Sequence, residues 1–388
     1  MKLSINVFTL LLFVISSLLI FRYKIGAYPP KTIKKGDYRL EIIDSILLKN
    51  NTNYNIVSYR NNHLYNCMPF NFEVYEMNGK LLHHYIGQVT SCPIPKLRTK
   101  TPQRIYNFGE EDNKMFVWDD FGECFFMYKN HTLIQKIKTP LATKNNYTLQ
   151  RNLNDLYLLD TLHLLASIIP NEVESGKRSI GLKDPMFAKI NIRTGKTSYF
   201  GTWDSLYYEL EPASIYCEDN EKLSEEEKVK KSVIKRVRAV RYQYIKGQNK
   251  LYYVEKASNK LKIIDFKDNK TTIRQLNDNA KLPIPPVECS QWENASIYYD
   301  EVSNAFIRVL ECYNDKKMYH SHQKTPIQKL LEIYDLNTNQ TITQIILPDN
   351  LSHFICAMPN LKELWFQKFN NKFYGQTVIY KLKLTTQS

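Results

Sequence analysis

Leu330–Leu347 reads LLEIYDLNTNQTITQIIL. Leu331, Ile333 and Leu336 supply the apolar positions of a first arm. Asn337–Gln340 supplies turn chemistry, and Thr341–Leu347 is β-branched and apolar, so the stretch reads as strand, tight turn, strand. The pattern recurs in Phe72–Ile86 (FEVYEMNGKLLHHYI), Cys124–Ile137 (CFFMYKNHTLIQKI), Phe187–Phe200 (FAKINIRTGKTSYF) and Leu261–Leu276 (LKIIDFKDNKTTIRQL). The residue pairs before the turns are Tyr75-Glu76, Tyr128-Lys129, Ile190-Asn191, Ile264-Asp265, Tyr334-Asp335 and Tyr380-Lys381. They lie 46 to 74 residues apart.

An isolated hairpin is marginal in water, so each copy needs further strands and a neighbour to bury its faces. Short-stranded repeats at roughly 40–50 residues are the signature of propeller blades, and the longer gaps hold insertions. The last copy, Thr377–Leu384, is followed by no second arm, while Tyr38–Leu48 (YRLEIIDSILL) is an unpaired strand at the other end. Pairing the two closes the ring and hides two edges. The expectation is an all-β, six-bladed β-propeller whose last blade is shared between the N- and C-terminal strands. Seven blades stays open, because Leu153–Ile169 and Val233–Tyr244 add strands. A sandwich or stacked sheets is the competing architecture.

Residues 1–27 read as a signal peptide or membrane anchor, 28–36 as a linker and 37–386 as the propeller domain. Ile5–Phe21 is the only long apolar run. Its length as a helix is roughly 25 Å, slightly short for a bilayer core. Such a run fits a signal-peptide core or a short anchor, and places the protein at the cell envelope, anchored or exported to the periplasmic side. Ser224 and Glu227 form a capping box, with Glu225–Glu227 followed by Lys228, Lys230 and Lys231. They predict a short inserted helix over Glu225–Ser232, returning to strand at Val233–Tyr244.

The formal net charge is +14 over 388 residues, which invites a nucleic-acid reading. The basic residues are spread along the chain, and no arginine-rich arm, zinc finger or RNA-binding signature is present. A solvated basic surface is the expectation, and such a surface favours an anionic envelope or a polyanionic glycan. The densest basic cluster is Lys235, Arg236, Arg238 and Arg241.

The chain holds no G-x-S-x-G elbow, phosphate loop, H-E-x-x-H or C-x-x-C. Asp119-Asp120 and Glu110-Glu111 read as turn carboxylates. His320 and His322 can present two imidazoles from one loop, but a zinc site needs a third ligand, so the pair reads as solvated loop histidines, kept as ligand-binding candidates, and no metal or other cofactor is expected. Seven cysteines at wide spacing do not describe a disulfide framework. Several read as small core residues, with one bridge, such as Cys67 to Cys92, open to an exported domain.

YYDEVSNAFIRVL at Tyr298–Leu310 and LEIYDLNTNQTITQIILPDN at Leu331–Asn350 resemble strand pairs of uncharacterised six-bladed, TolB-like propeller proteins of Bacteroidetes-type bacteria. ELWFQK and VIYKLKL near the C-terminus are similar to theirs as well. The resemblance covers residues 38–384 and implies the fold. That group carries no agreed catalytic residues. Arg308 is the residue it singles out as a binding candidate, against a salt bridge within the sheet. The functional expectation is a binding or scaffold propeller for a protein or glycan ligand, with an enzyme acting on a glycan as the alternative.

Overall fold

The structure is a computed structural model that describes residues 38–49, 56–60, 62–67, 71–86, 105–111, 114–119, 124–129, 132–138, 146–150, 156–174, 180–181, 183–204, 223–237, 239–276, 291–314, 326–368 and 376–386. It is an all-β propeller built from antiparallel sheets. β1 (Tyr38–Lys49) comes first in the chain but belongs to the last sheet. The first sheet runs β2 (Ile56–Arg60), β3 (His63–Cys67), β4 (Asn71–Glu76), β5 (Leu81–Ile86). The second runs β6 (Ile105–Glu111), β7 (Lys114–Asp119), β8 (Cys124–Lys129), β9 (Thr132–Lys138). In the third, β10 (Tyr147–Leu149) and β11 (Tyr157–Asp160) both pair with β12 (His163–Pro170), followed by β13 (Pro185–Asn191) and β14 (Thr197–Thr202). The fourth runs β15 (Val240–Ile245), β16 (Lys250–Glu255), β17 (Lys260–Asp265), β18 (Lys270–Gln275). The fifth runs β19 (Glu293–Asp300), β20 (Ala305–Cys312), β21 (Gln328–Asp335), β22 (Gln340–Ile346). The sixth runs β23 (Leu351–Ala357), β24 (Leu364–Lys368), β25 (Gln376–Thr386), then β1.

The turns explain why the hairpins recur. The residue ending a strand takes hydrogen bonds from backbone two or three residues on: Asp265 from Lys267 N, Asp335 from Asn337 N, and Asn191 from Arg193 and Thr194 N. The last turn residue is Asn at positive φ at Asn249, Asn269, Asn304 and Asn339, whereas Gly195 takes that conformation after Asn191. Asn tolerates the left-handed region better than other side chains and bonds its own backbone. Gly79 fills that role between β4 and β5 with φ +88°, and a Cβ there would meet Ile46 Cγ2 at 2.7 Å.

The sheets pack face to face through their apolar rows. Phe116, Phe125 and Met127 of the second sheet meet Leu164 and Ile190 of the third. Leu165 and Phe187 of the third meet Tyr242 and Tyr253 of the fourth. Tyr252 and Val254 meet Tyr299 and Tyr334 of the fifth. Ile307 and Ile333 meet Phe354 and Phe366 of the sixth. Ile46, Leu48, Trp365 and Ile379 of the sixth meet Val57, Leu64 and Tyr75 of the first. The leading strands also touch: β6 on β11, β15 on β19, β19 on β23, and β23 on β2.

Closure by the chain's two ends follows the expected pairing. Leu40 lies opposite Leu384, Ile46 opposite Ile379 and Leu48 opposite Thr377, with one register shift between Ile42 and Asp44. Lys381 Nζ donates to Asp44 Oδ2 at 2.7 Å.

The inserted helix is longer than expected. Besides α1 (Asn171–Glu174), the helix α2 spans Glu225–Val237, and the following strand starts at Val240. The capping box is as read: Ser224 N donates to Glu227 Oε2 at 2.7 Å, and Glu227 N to Ser224 Oγ at 3.3 Å. The alternation of Arg236 with Arg238 suggested a strand face, but Lys235 and Arg236 continue the favourable helix composition beyond Ser232. The apolar run Ile5–Phe21 lies outside the described residues. Within them, no helix is long and apolar enough to cross a membrane.

Leu48 has no exposed surface. Leu48→Ala removes packing where the sixth sheet meets the first, and should destabilise the protein by about 2–5 kcal/mol. Chemical denaturation monitored by tyrosine and tryptophan fluorescence measures this. A midpoint equal to that of the wild type would show that closure does not limit stability.

Candidate functional site

In each sheet the leading strand has one backbone edge without a strand neighbour. In the first and fifth sheets side chains from the adjacent sheet bond to that edge, as buried backbone groups require. Arg241 Nε donates to Ala295 O at 2.7 Å. Tyr299 N donates to Gln243 Oε1 at 2.7 Å, and Val57 N to Gln367 Oε1 at 3.2 Å. Asn294 Nδ2 reaches Glu255 O at 2.9 Å and Ser258 O at 2.7 Å.

Charge gathers where β15, β19 and β23 begin. Glu293, Glu311 and Lys329 lie in one cross-strand row of the fifth sheet, directly opposite one another in register. Lys256, just past the end of β16, places Nζ 3.2 Å from Glu293 Oε2 and 5.8 Å from the centre of the Tyr313 ring. Tyr313 donates its hydroxyl proton to Glu311 Oε2, and Lys329 Nζ donates to Leu351 O. Arg241 arrives from the fourth sheet and His353 from the sixth. Lys256 and Lys329 are buried, while Arg241, Glu311, Tyr313 and His353 keep part of their surface.

Electrostatics ties these residues together. Burial holds the Lys256 ammonium below the usual lysine range; Glu293 and Glu311 oppose that shift and Arg241 adds to it. Burial likewise lowers Lys329, opposed by Glu311 and the exposed Asp349. His353 is pushed down to about 4, by burial first and then by the positive charges of Arg241 and Lys329. The imidazole is therefore neutral at pH 7.

Beside this cluster runs a second network, centred on the buried Arg308, Glu332 and Asn294. Arg308 has no exposed surface. Its Nε donates to Glu332 Oε2 at 2.5 Å, and Nη1 donates to Asn259 Oδ1 at 3.0 Å and Asn294 Oδ1 at 3.2 Å. Gln344 Nε2 donates to the other Glu332 oxygen at 2.8 Å. So Arg308, which the sequence offers either as a binding candidate or as part of a salt bridge within the sheet, forms the salt bridge. It sits mid-strand between Ile307 and Val309, directly opposite Glu332, where both faces of the sheet are covered. The first sheet repeats the device: Glu73 accepts from Asn66 Nδ2 at 3.1 Å and from the Tyr75 hydroxyl at 2.6 Å, with His84 Nδ1 at 3.4 Å.

Between the third and fourth sheets, Lys262 Nζ donates to Glu255 Oε1 at 2.7 Å and to Thr202 O at 3.2 Å. Asp204 N donates to the same Glu255 oxygen at 2.8 Å, and Lys260 Nζ stands 3.0 Å from Asp204 Oδ2. Burial raises the Glu255 carboxyl above its usual range despite the lysine.

His320 and His322 lie outside the described residues, as do Asp120, Arg238 and Cys92. Among the described residues, no three His, Cys, Asp or Glu side chains gather as a metal site. Cys312 is disulfide-bonded and Cys356 is a buried free thiol. Lys256, Lys329 and His353 were missed from sequence. Each sits at a strand end, where a charged residue ordinarily faces water.

Comparison with solved structures supports the architecture. A member of the DUF4221 family from Bacteroides vulgatus matches 91% of this chain over 100% of its own, with 11% identity and a TM-score of 0.59. An exported-protein candidate from Bacteroides fragilis matches 89% of this chain over 96% of its own, with 10% identity and a TM-score of 0.50. At such identities the likeness is one of fold. No family model and no curated protein matches the chain.

Two predictions follow from the buried charges. Arg308→Met strands the Glu332 carboxylate and should cost about 3–5 kcal/mol, whereas Arg308→Met with Glu332→Leu should recover much of that loss; urea denaturation of both variants measures it. For His353, the unfolded chain takes up a proton near pH 6.5 that the folded chain refuses until about pH 4. Stability contributed by the neutral ring is therefore lost as pH falls through that window. His353→Asn should flatten the pH dependence of the melting temperature between these values.

Proposed function

We propose that this chain is an exported, envelope-associated propeller that binds a ligand at the ring end where β15, β19 and β23 begin. The six sheets act as six blades, in keeping with the resemblance to TolB-like propellers read from the sequence. The observation that carries the reading is the meeting of three successive sheets at one end of their leading strands, where Arg241 bonds Ala295 O, Lys256 pairs with Glu293, and Lys329 bonds Leu351 O two residues before His353. Strand ends set by a closed ring are rigid supports for a recognition site.

Two observations support export. Cys312 is disulfide-bonded, and disulfides persist in oxidising compartments. One of the structural neighbours is an exported-protein candidate. The apolar run Ile5–Phe21 is the segment that would direct export or attach the chain to a membrane.

Binding is favoured over turnover by the state of the carboxylates. Glycan hydrolysis requires two carboxyl groups flanking the scissile bond in an open cleft. Asp204 and Glu255 are adjacent, but both are buried and each is held by a lysine. Glu293 is buried against Lys256. The partner in this reading is a protein or glycan; nucleic acid is not expected.

Cell fractionation combined with thiol alkylation tests the reading. The protein should appear in the envelope fraction, with Cys312 alkylated only after reduction. A cytosolic protein whose Cys312 reacts without reductant would remove the case for export. Incubated with oligosaccharides, the purified protein should release no shortened products on chromatography; their appearance would establish the enzymatic alternative.

A further inference from the structure

Resting on the reading that Ile5–Phe21 attaches the chain to a membrane, we infer that the outer edge of the sixth sheet, β1, is the surface that lies against the bilayer. β1 is the outermost strand of that sheet, at the opposite side from the leading β23. It carries three large exposed apolar side chains: Ile42, Ile43 and Leu47 are 54%, 49% and 45% exposed. The register shift between Ile42 and Asp44 leaves Ile43 without a partner in β25. Two successive isoleucines therefore stand exposed, where a regular strand would turn one of them inward. The patch continues onto the first sheet. A Cβ at Gly79 would lie 3.1 Å from Leu47 O, and Leu81, two residues further along, is exposed as well. Elsewhere among the described residues, exposed large apolar side chains stand singly or as one neighbouring pair on their strands, which is ordinary for a solvent-facing surface.

Three observations choose a lipid surface as the occupant. The first is connection, because β1 is the strand into which the apolar run leads. Residues 22–37 separate Phe21 from Tyr38, and fully extended they span at most about 55 Å. With the run in a bilayer, the head of β1 is held within that distance of it. The second is charge. Residues 22–37 contain Arg22, Lys24, Lys31, Lys34 and Lys35 against Asp37 alone, and basic residues beside a membrane segment are drawn to anionic lipid. The carboxylates of β1 are already paired: Arg39 Nη2 lies 2.6 Å from Glu41 Oε1, and Lys381 Nζ lies 2.7 Å from Asp44 Oδ2. Lys383, opposite Glu41, is exposed. The third is the bulge itself. A strand added to an edge needs a regular row of backbone groups, and a bulge interrupts that row. Acyl chains need no hydrogen bonds, so exposed apolar side chains beside a broken ladder suit lipid better than a second strand. Docked in this way the ring stands on its rim, and both of its ends stay open to solvent.

The test uses the full chain in vesicles of phosphatidylethanolamine and phosphatidylglycerol, with a photo-crosslinking residue placed at Ile43, at Leu47 or at Ile273. Ile273 is 59% exposed on β18, the outer strand of the fourth sheet, and serves as the distant control. Mass spectrometry after illumination should find lipid adducts at Ile43 and Leu47 at least fivefold more often than at Ile273. With the crosslinker at Ile43, Ile42→Ser combined with Leu47→Ser should lower the adduct yield at least threefold. Both side chains are exposed, so the melting temperature of that variant should match the wild type. Equal yields at Ile43 and Ile273, in chains that co-sediment with the vesicles, would overturn the docked edge while leaving attachment by Ile5–Phe21 standing. Yields at Ile43 unchanged by the two serines would overturn it as well, since tethering alone then accounts for the adducts. Crosslinks from Ile43 to a second copy of the chain, in place of lipid, would overturn the bilayer as occupant and make β1 an interface between copies. A chain that does not co-sediment with vesicles at all would remove the attachment reading, and the docked edge with it.

Discussion

The ladder between β1 and β25 converts a curved stack of sheets into a ring, and everything else in the molecule leans on it. Asp44 and Lys381, joined across that ladder, are 337 residues apart. Closing a loop of this length costs about 5 kcal/mol in chain entropy. Ile46, Leu48 and Ile379 are buried at the seam. Apolar side chains of this size contribute about 1.5–3 kcal/mol each on full burial, enough to offset closure. The bond from Val57 N to Gln367 then ties the leading edge of the first sheet to the sixth. Ring geometry in turn fixes the distance between the heads of β15, β19 and β23, and hence the spacing of the charges they carry.

Buried charge is the second constraint. Sheets covered on both faces leave no solvent for a charged side chain in mid-strand. Arg308 is stable there because Glu332 stands opposite it and Asn259, Asn294 and Gln344 complete the set. Displacing β21 by one residue would turn Glu332 to the other face and isolate the guanidinium. The pair thus penalises wrong registers even where its net stabilisation is small. Glu73 with Asn66 and His84 acts in the same way in the first sheet.

Much of the architecture was legible because hairpin chemistry is local. Asp335 with Asn339, and Asp265 with Asn269, encode their turns within five residues, so repetition of that signal gave the propeller. Closure was legible for a similar reason: Tyr38–Leu48 and Thr377–Leu384 each lacked a neighbour. The helix end was not. Val233–Val237 has residues that suit strand or helix, and the capping box at Ser224 fixes only where α2 starts. The charged cluster was also illegible, because Lys256, Lys329 and His353 become neighbours only when three sheets are set around an axis. Each alone looks like a solvated strand terminus. Arg308 in FIRVL and Glu332 in LLEIY did carry a signal, a single charge inside an apolar run. It marked burial rather than ligand contact.

The order in which the seam is made has a biological cost. The ribosome delivers β1 first and its partner after nearly all the rest, so during synthesis Ile46 and Leu48 have no β25 to lie against. A nascent or truncated product stopping short of β25 presents a long unpaired edge with apolar side chains, the kind of surface that recruits other strands. A holding factor that keeps the early strand from aggregating therefore matters more for this chain than for one whose neighbouring strands are made in succession.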